Sequence, residues 1–288
     1  MSSSSAEGSH FSLTPVALSV ADLAGARAFY ERAIGLRAVR SEFGWAMLGL
    51  EDGTPLVELH GDPDAPPRPP RTTGLYHLAI LVPSRAELAR ALQRVVSAGW
   101  RFTGASDHLV SEALYLDDPE GNGIELYRDR PREEWIYGAD GGELAMATER
   151  LDLDGLMREL PGDADPGMPP GTKMGHVHLN VADIDATEDF YSGLLGLDVT
   201  VRSYPSARFL SRNGYHHHLG TNVWAGAGAP PPPRGSRGLR HFGFELSGDA
   251  ELAELRGRLE GAGVEVREAD GGVLVADPSG NRVVLSAP

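Results

Sequence analysis

The chain has 288 residues, 41% of them hydrophobic, enough for one large buried core or two of ordinary size. Its 26 basic and 41 acidic residues leave a formal charge of −15, which repels phosphate backbones and anionic lipid and argues against nucleic acid or a membrane surface as partner. With no cysteine there can be no disulfide, thiolate nucleophile or thiolate metal ligand, so any metal must sit on the ten histidines and the carboxylates.

Residues 1–12 are Ser-rich and lack the basic and apolar regions of a secretory signal; they read as a disordered tail. No apolar run approaches the roughly 18 residues of a membrane-spanning helix, and a cytoplasmic address is expected. From Leu13 to Val20 the alternation predicts a strand, and Asp22 stands where a helix N-cap belongs. Leu23, Ala26, Phe29, Tyr30 and Ile34 then mark one face of a helix, which Gly35 stops. Three short strands follow, Arg37 to Ser41, Trp45 to Leu50 and Leu56 to His60, completing a β-α-β-β-β module over 13–62.

A Pro-rich spacer from Pro63 to Pro70 precedes a second module over 74–130. It has a strand from Leu75 to Val82 and a Ser84-capped helix from Arg85 to Ala98. Strands from His108 to Leu116 and from Ile124 to Tyr127 flank the turn that begins at Asp118-Pro119. Residues 138–173 read as a linker with one short helix near Asp154 to Leu160. Modules over 174–226 and 238–288 repeat the order, spaced by Pro230 to Pro233.

The second half is a copy of the first. Ala21-Asp22-Leu23, Phe29-Tyr30 and Ile34-Gly35-Leu36 return as Ala182-Asp183-Ile184, Phe190-Tyr191 and Leu195-Gly196-Leu197, and Asp118-Pro119-Glu120-Gly121-Asn122 returns as Asp277-Pro278-Ser279-Gly280-Asn281. A β-α-β-β-β unit has an open edge and one apolar sheet face, so it is stable only when two units pair and curl around a shared cup. The expected fold is α+β: four modules forming two cup-shaped, incompletely closed β-barrels with helices outside. In chain order they make two units, 13–137 and 174–288.

Equivalent positions on the four first strands are Pro15, His77, His176 and His241; on the last strands they are Glu58, Glu125, about Asn222, and Val284. Pairing modules two and three collects His77, His176 and Glu125, two imidazoles and a carboxylate, the set that leaves open positions on Fe(II) for a chelating substrate and O2. The rival pairing, one with two and three with four, follows the habit of consecutive elements to be neighbours. It would put His176 and His241 in a cup without a carboxylate.

Gly74-Leu75-Tyr76-His77, the run from Asp107 to Tyr115, the turn from Asp118 to Glu125, Met174-Gly175-His176-Val177-His178-Leu179 and Tyr215-His216-His217-His218 together resemble the vicinal oxygen chelate superfamily. Within it they are similar to the two-domain extradiol dioxygenases of the catechol 2,3-dioxygenase type. The resemblance implies metal ligation by His77, Glu125 and His176. It implies Tyr115 and His108 as partners of the catecholate oxygens, and His217 as the acid-base group that steadies activated oxygen and donates a proton. Fe(II), with Mn(II) as the alternative, would be the cofactor; a small aromatic diol and O2 would be the partners, and a homo-oligomer is compatible. These relatives place all three ligands in the C-terminal half, where this chain has Val284 for the carboxylate. A glyoxalase I-like isomerase or lyase, or a non-catalytic binder like the bleomycin resistance proteins, are the competing readings. His178 shares a strand face with His176 and reads as a supporting or core residue. Alternation would turn only one or two of His216 to His218 inward.

Overall fold

The computed structural model describes residues 10–162, 167–269 and 271–288. Most of the tail, residues 1–9, and Pro166 of the linker lie outside that range. Along the chain run β1 (Ser12–Leu13), β2 (Val16–Val20), α1 (Leu23–Phe29), β3 (Arg37–Glu42), β4 (Trp45–Gly49), β5 (Pro55–Gly61), β6 (Gly74–Leu81), α2 (Arg85–Ser97), β7 (Gly104–Asp107), β8 (Ser111–Asp117) and β9 (Gly123–Asp129). After β10 (Glu149–Arg150) and α3 (Leu153–Arg158) come β11 (Lys173–Asn180), α4 (Ile184–Glu188), β12 (Asp198–Val201), β13 (Ala207–Ser211) and β14 (Leu219–Asn222). The last module holds β15 (Gly238–Glu245), α5 (Asp249–Gly261), β16 (Arg267–Ala269), β17 (Gly272–Ala276) and β18 (Arg282–Ser286). The end of the tail is ordered against the fold: Ser12 and Leu13 pair with Glu245 and Phe244, and Phe11 stacks on Phe244 at 4.9 Å. An aromatic ring at position 11 has apolar surface to bury, which a purely Ser-rich tail does not.

The strands form two nine-stranded sheets. In one, β6 and β11 meet antiparallel at the centre, joining modules two and three; in the other, β2 and β15 do the same for modules one and four. Each half of the chain therefore lends one module to each sheet. The central strands explain why: β6 and β11 are buried along nearly their whole length, while the edge strand β3 is largely exposed. Strands buried on both faces cannot stand at an edge.

Contacts outside the sheets tie the modules in the other order. Asp118 accepts hydrogen bonds from the backbone of Glu120 and Asn122, from Asn122 Nδ2 and from the Tyr30 hydroxyl at 3.2 Å. Asp277 repeats the arrangement with Ser279, Asn281 and the Tyr191 hydroxyl at 3.0 Å. The duplicated Phe-Tyr pair reaches these turns because each helix ends in a widened turn, Tyr30–Ile34 or Asp189–Leu194, which brings Phe29 and Tyr30, or Phe190 and Tyr191, to the core together. Tyr30→Phe and Tyr191→Phe should each cost about 1.5–3 kcal/mol, the range for a hydrogen bond to a charged group, measured as a shift in urea unfolding.

The segment read as a linker is part of the core. Leu144, Leu151, Leu156 and Met168 are buried, and Glu149–Arg150 pairs with β7. Arg85 bonds buried Glu112 and also Glu159, pinning α3 to α2 and the sheet. No helix among the described residues is long and apolar enough to cross a membrane.

Candidate metal centre

The β6–β11 seam brings together the three residues expected to bind metal. On the sheet, His176 lies beside Ala79 and Ala79 beside Glu125, so the two side chains share one row; His77 sits next along β6, opposite His178. Nε2 of His77 and of His176 lie 3.0 and 3.1 Å from Glu125 Oε2. One ligand atom from each of the three lies within 4.8 Å of the others, and all three side chains are buried.

Burial holds the His176 imidazole neutral, with its pKa lowered to about 4 despite the pull of Glu125. Burial would raise the Glu125 carboxyl, but its electrostatic interaction and hydrogen bond with His176, foremost, outweigh it and hold the group well below the usual range. A carboxylate beside the neutral His176 ring is ready to bind a metal. His77 Nε2, though 3.0 Å from the carboxylate, has no hydrogen-bond partner and no access to water. A buried nitrogen lone pair facing an anionic oxygen is satisfied by a cation between them, so the residues present fit a divalent metal.

The triad forms the floor of a cavity of about 500 Å³. On one wall stand Tyr115 and His108, joined through Tyr115 Oη and His108 Nε2 at 2.7 Å. His108 Nδ1 lies 2.7 Å from the Ala147 carbonyl, an acceptor only; Nδ1 is therefore the donor, which leaves Nε2 to accept the Tyr115 hydroxyl proton. Burial and the Glu125 charge keep the Tyr115 phenol protonated, its pKa raised well above 10.0. The loop is fixed by an Asp107 side chain accepting from the Leu109 N–H, with Leu109 in the left-handed region at φ 69.

His217 packs on His176 with ring centroids 4.1 Å apart, so it too reaches the triad. The histidine triplet precedes β14 as irregular backbone instead of beginning a strand. His216 and His217 are both buried and His218 mostly so, in place of the alternation expected of a strand. The residue of β14 equivalent to Glu125 is Gly220, paired with His178 as Glu125 is with Ala79, and not Asn222; a Cβ there would lie 2.9 Å from the His178 ring. Gly175 has a similar role beneath Tyr127, whose hydroxyl would be 1.8 Å from an added Cβ. Gly175→Ala should displace that phenol, break its 2.8 Å bond to Tyr215 and cost about 1–3 kcal/mol as overpacking, with a fall in both metal content and thermal midpoint.

Several cavity residues carry no mark in the sequence motifs. Met146 and Thr148 come from the segment read as a linker, and Thr148 bonds Tyr204 across the mouth at 2.8 Å. Asp129, outside the cavity lining but bonded to His216, could have been found, since Glu125, Tyr127 and Asp129 share one face of β9. His178 is a cavity residue whose buried Nε2 lacks a partner.

The other cup has the same row, His241 beside Ala17 beside Glu58, but Pro15 stands where His77 would be. There the Glu58 carboxylate is taken by Trp45 Nε1 at 2.6 Å and His60 Nε2 at 2.5 Å, and His241 stays 3.9 Å away. Only one cup among the described residues gathers three metal-ready groups.

Two curled sheets built from repeated β-α-β-β-β modules, one lined by two imidazoles and a carboxylate, define a metal-ready vicinal oxygen chelate fold. The family model of the Glyoxalase/Bleomycin resistance protein/Dioxygenase superfamily matches residues 12–126 and 173–285, and the chain belongs to that superfamily. It is 40% identical over 264 residues to the catechol-2,3-dioxygenase of Bacillus subtilis (strain 168), covering 91% of this chain and 92% of that one. Among solved structures it resembles glyoxalase I from Zea mays, with a TM-score of 0.60 at 16% identity over 96% of this chain and 92% of that one. The cppA protein from Streptococcus pneumoniae TIGR4 gives 0.58 at 14% over 98% and 99%. At those identities the likeness is one of fold.

Proposed function

We propose that the protein is an extradiol dioxygenase that opens a catechol-type aromatic diol with O2. The observation that carries this reading is the convergence of His77, Glu125 and His176 on the floor of a cavity, in a chain 40% identical to a catechol-2,3-dioxygenase. A divalent iron, or manganese, on these three ligands would supply a chelation point for two adjacent hydroxyl oxygens and a path for electrons to O2.

The chain's own groups do the rest. Tyr115, whose proton is directed at His108, keeps its oxygen lone pairs for a substrate hydroxyl, and its raised pKa keeps it from competing as an anionic ligand. Burial and the neighbouring imidazoles push the His217 pKa well below its ordinary value, so a proton that the ring carries during the reaction is readily given to a leaving oxygen. Gly220, which holds on β14 the position of Glu125 on β9, offers no fourth anionic ligand of the kind that glyoxalase-like isomerases use.

The test is anaerobic reconstitution with Fe(II), followed by oxygen uptake with catechol. The expected result is one O2 consumed per catechol with a yellow ring-opened product; turnover of an α-hydroxy thioester precursor without oxygen uptake would favour the isomerase. No lysine or arginine lines the cavity among the described residues. Catechols bearing a ring carboxylate should therefore show kcat/KM at least tenfold below that of 4-methylcatechol, because nothing compensates a buried anion there.

A further inference from the structure

We propose that Asp129 and His216 are positioning residues that set the tautomer of His217, fixing a bare Nε2 toward the metal cavity; this rests on the acid-base role given to His217 above. His216 is wholly buried, with Tyr215 stacked on it at 4.1 Å and Trp135 at 5.4 Å, so each of its ring nitrogens must find its partner inside the protein. Its Nε2 lies 2.8 Å from Asp129 Oδ1 and its Nδ1 lies 2.7 Å from His217 Nδ1.

The carboxylate accepts only, so His216 carries its proton on Nε2. In a neutral ring Nδ1 is then an acceptor, and the 2.7 Å contact requires His217 to donate from Nδ1. That leaves Nε2 as the remaining polar atom of His217, unprotonated, in a ring that lines the cavity and packs on His176. The carboxylate is itself held: the Tyr215 hydroxyl donates to the same Oδ1 at 3.1 Å, and Thr200 Oγ1 donates to the His216 carbonyl at 2.6 Å, fixing the loop. The logic is that of a buried acid that orients a catalytic imidazole without reacting.

The arrangement depends on the order of residues in this chain. Glu125 and Asp129 lie on one face of β9, so the strand that provides the metal's carboxylate also provides the acceptor for His216. The adjacent His216-His217 pair links that acceptor to the cavity through a single hydrogen bond.

The experiment is ¹⁵N-histidine NMR of the full-length, zinc-loaded protein near pH 7.5, read for the wild type and for Asp129→Asn. In the wild type, His217 should show a protonated Nδ1 and a bare Nε2, and His216 the reverse. The substitution Asp129→Asn presents an amide N–H₂ to His216 Nε2, and both tautomers should switch while zinc content and thermal midpoint stay at wild-type values. With iron, the same variant should lose at least tenfold in kcat with KM for catechol within about twofold, as expected of a group that acts in the chemical step and not in binding. A wild-type His217 protonated at Nε2, or tautomers and kcat unchanged in Asp129→Asn, would overturn the proposal. If the protein consumed no oxygen with any catechol, the dioxygenase reading would fall, and the tautomer measurement would still decide whether Asp129 and His216 orient His217.

Discussion

Glu125→Ala is expected to lose iron by more than about a hundredfold in affinity, beyond the loss that a supporting residue causes, and ring cleavage with it. The carboxylate is the one anionic group of the three, beside two buried imidazoles. Without it, two neutral nitrogen donors must hold a dication alone in a dry site. Glu125→Gln keeps the side-chain volume and separates lost charge from lost packing; it should bind metal nearly as poorly and unfold close to the wild type. His241→Ala is the matched control. It occupies the same row of the other cup, where Glu58 already bonds Trp45 and His60, so iron content should not change. Metal analysis after anaerobic reconstitution ranks the three, and iron lost from His241→Ala but kept by Glu125→Ala would refute the assignment.

The metal-free protein should lose stability steeply as pH falls from about 6.5 toward 5. Burial lowers His176 to about 4 and His218 to about 3, and pushes His178 and His217 well below 6.5. A histidine whose folded pKa is depressed is neutral when folded and charged when unfolded between the two values. The unfolded state then binds more protons, and stability present above pH 6.5 is lost as pH falls. Each such group contributes a slope of about 1.4 kcal/mol per pH unit, so four acting together give about 5 kcal/mol per unit, comparable with the whole stability of an ordinary domain. Asp118 and Asp277, raised by burial, work in the opposite direction, but only nearer the carboxyl range. Urea midpoints measured from about pH 7.5 to 5.0 in a chelator should fall steeply below about 6.5, and saturating zinc should move the fall to lower pH because it binds only the deprotonated ligands. A flat profile would mean that these rings are not held neutral in the fold.

The modules and the candidate ligands were legible for the same reason: both are written as local patterns. The repeat from Ala21 to Leu36 at Ala182 to Leu197 marks the units, and equivalent strand positions bring out His77, His176 and Glu125. The partnering of modules was readable only through chemistry. Local rules favour neighbours, and it was the missing carboxylate at Val284 that pointed to modules two and three, as the β6–β11 seam has it. What could not be read lies where backbone is irregular. Period-2 alternation misplaced the His216 to His218 triplet, which is a loop with its rings packed inward. Nothing periodic marked Met146 and Thr148 as cavity wall, or Leu144 to Met168 as core, because their burial depends on the sheet they cross. Phe11 belongs to the same class: one aromatic side chain, docked on Phe244 by tertiary contact alone.

The most direct test of the central claim is the position of iron in crystals of the reconstituted protein, located by anomalous scattering at the iron edge. The account predicts a single strong peak within bonding distance of His77 Nε2, His176 Nε2 and a Glu125 oxygen, about 2.0–2.2 Å from each as for such ligands generally. A peak between Glu58 and His241, or none in either cup, would contradict it.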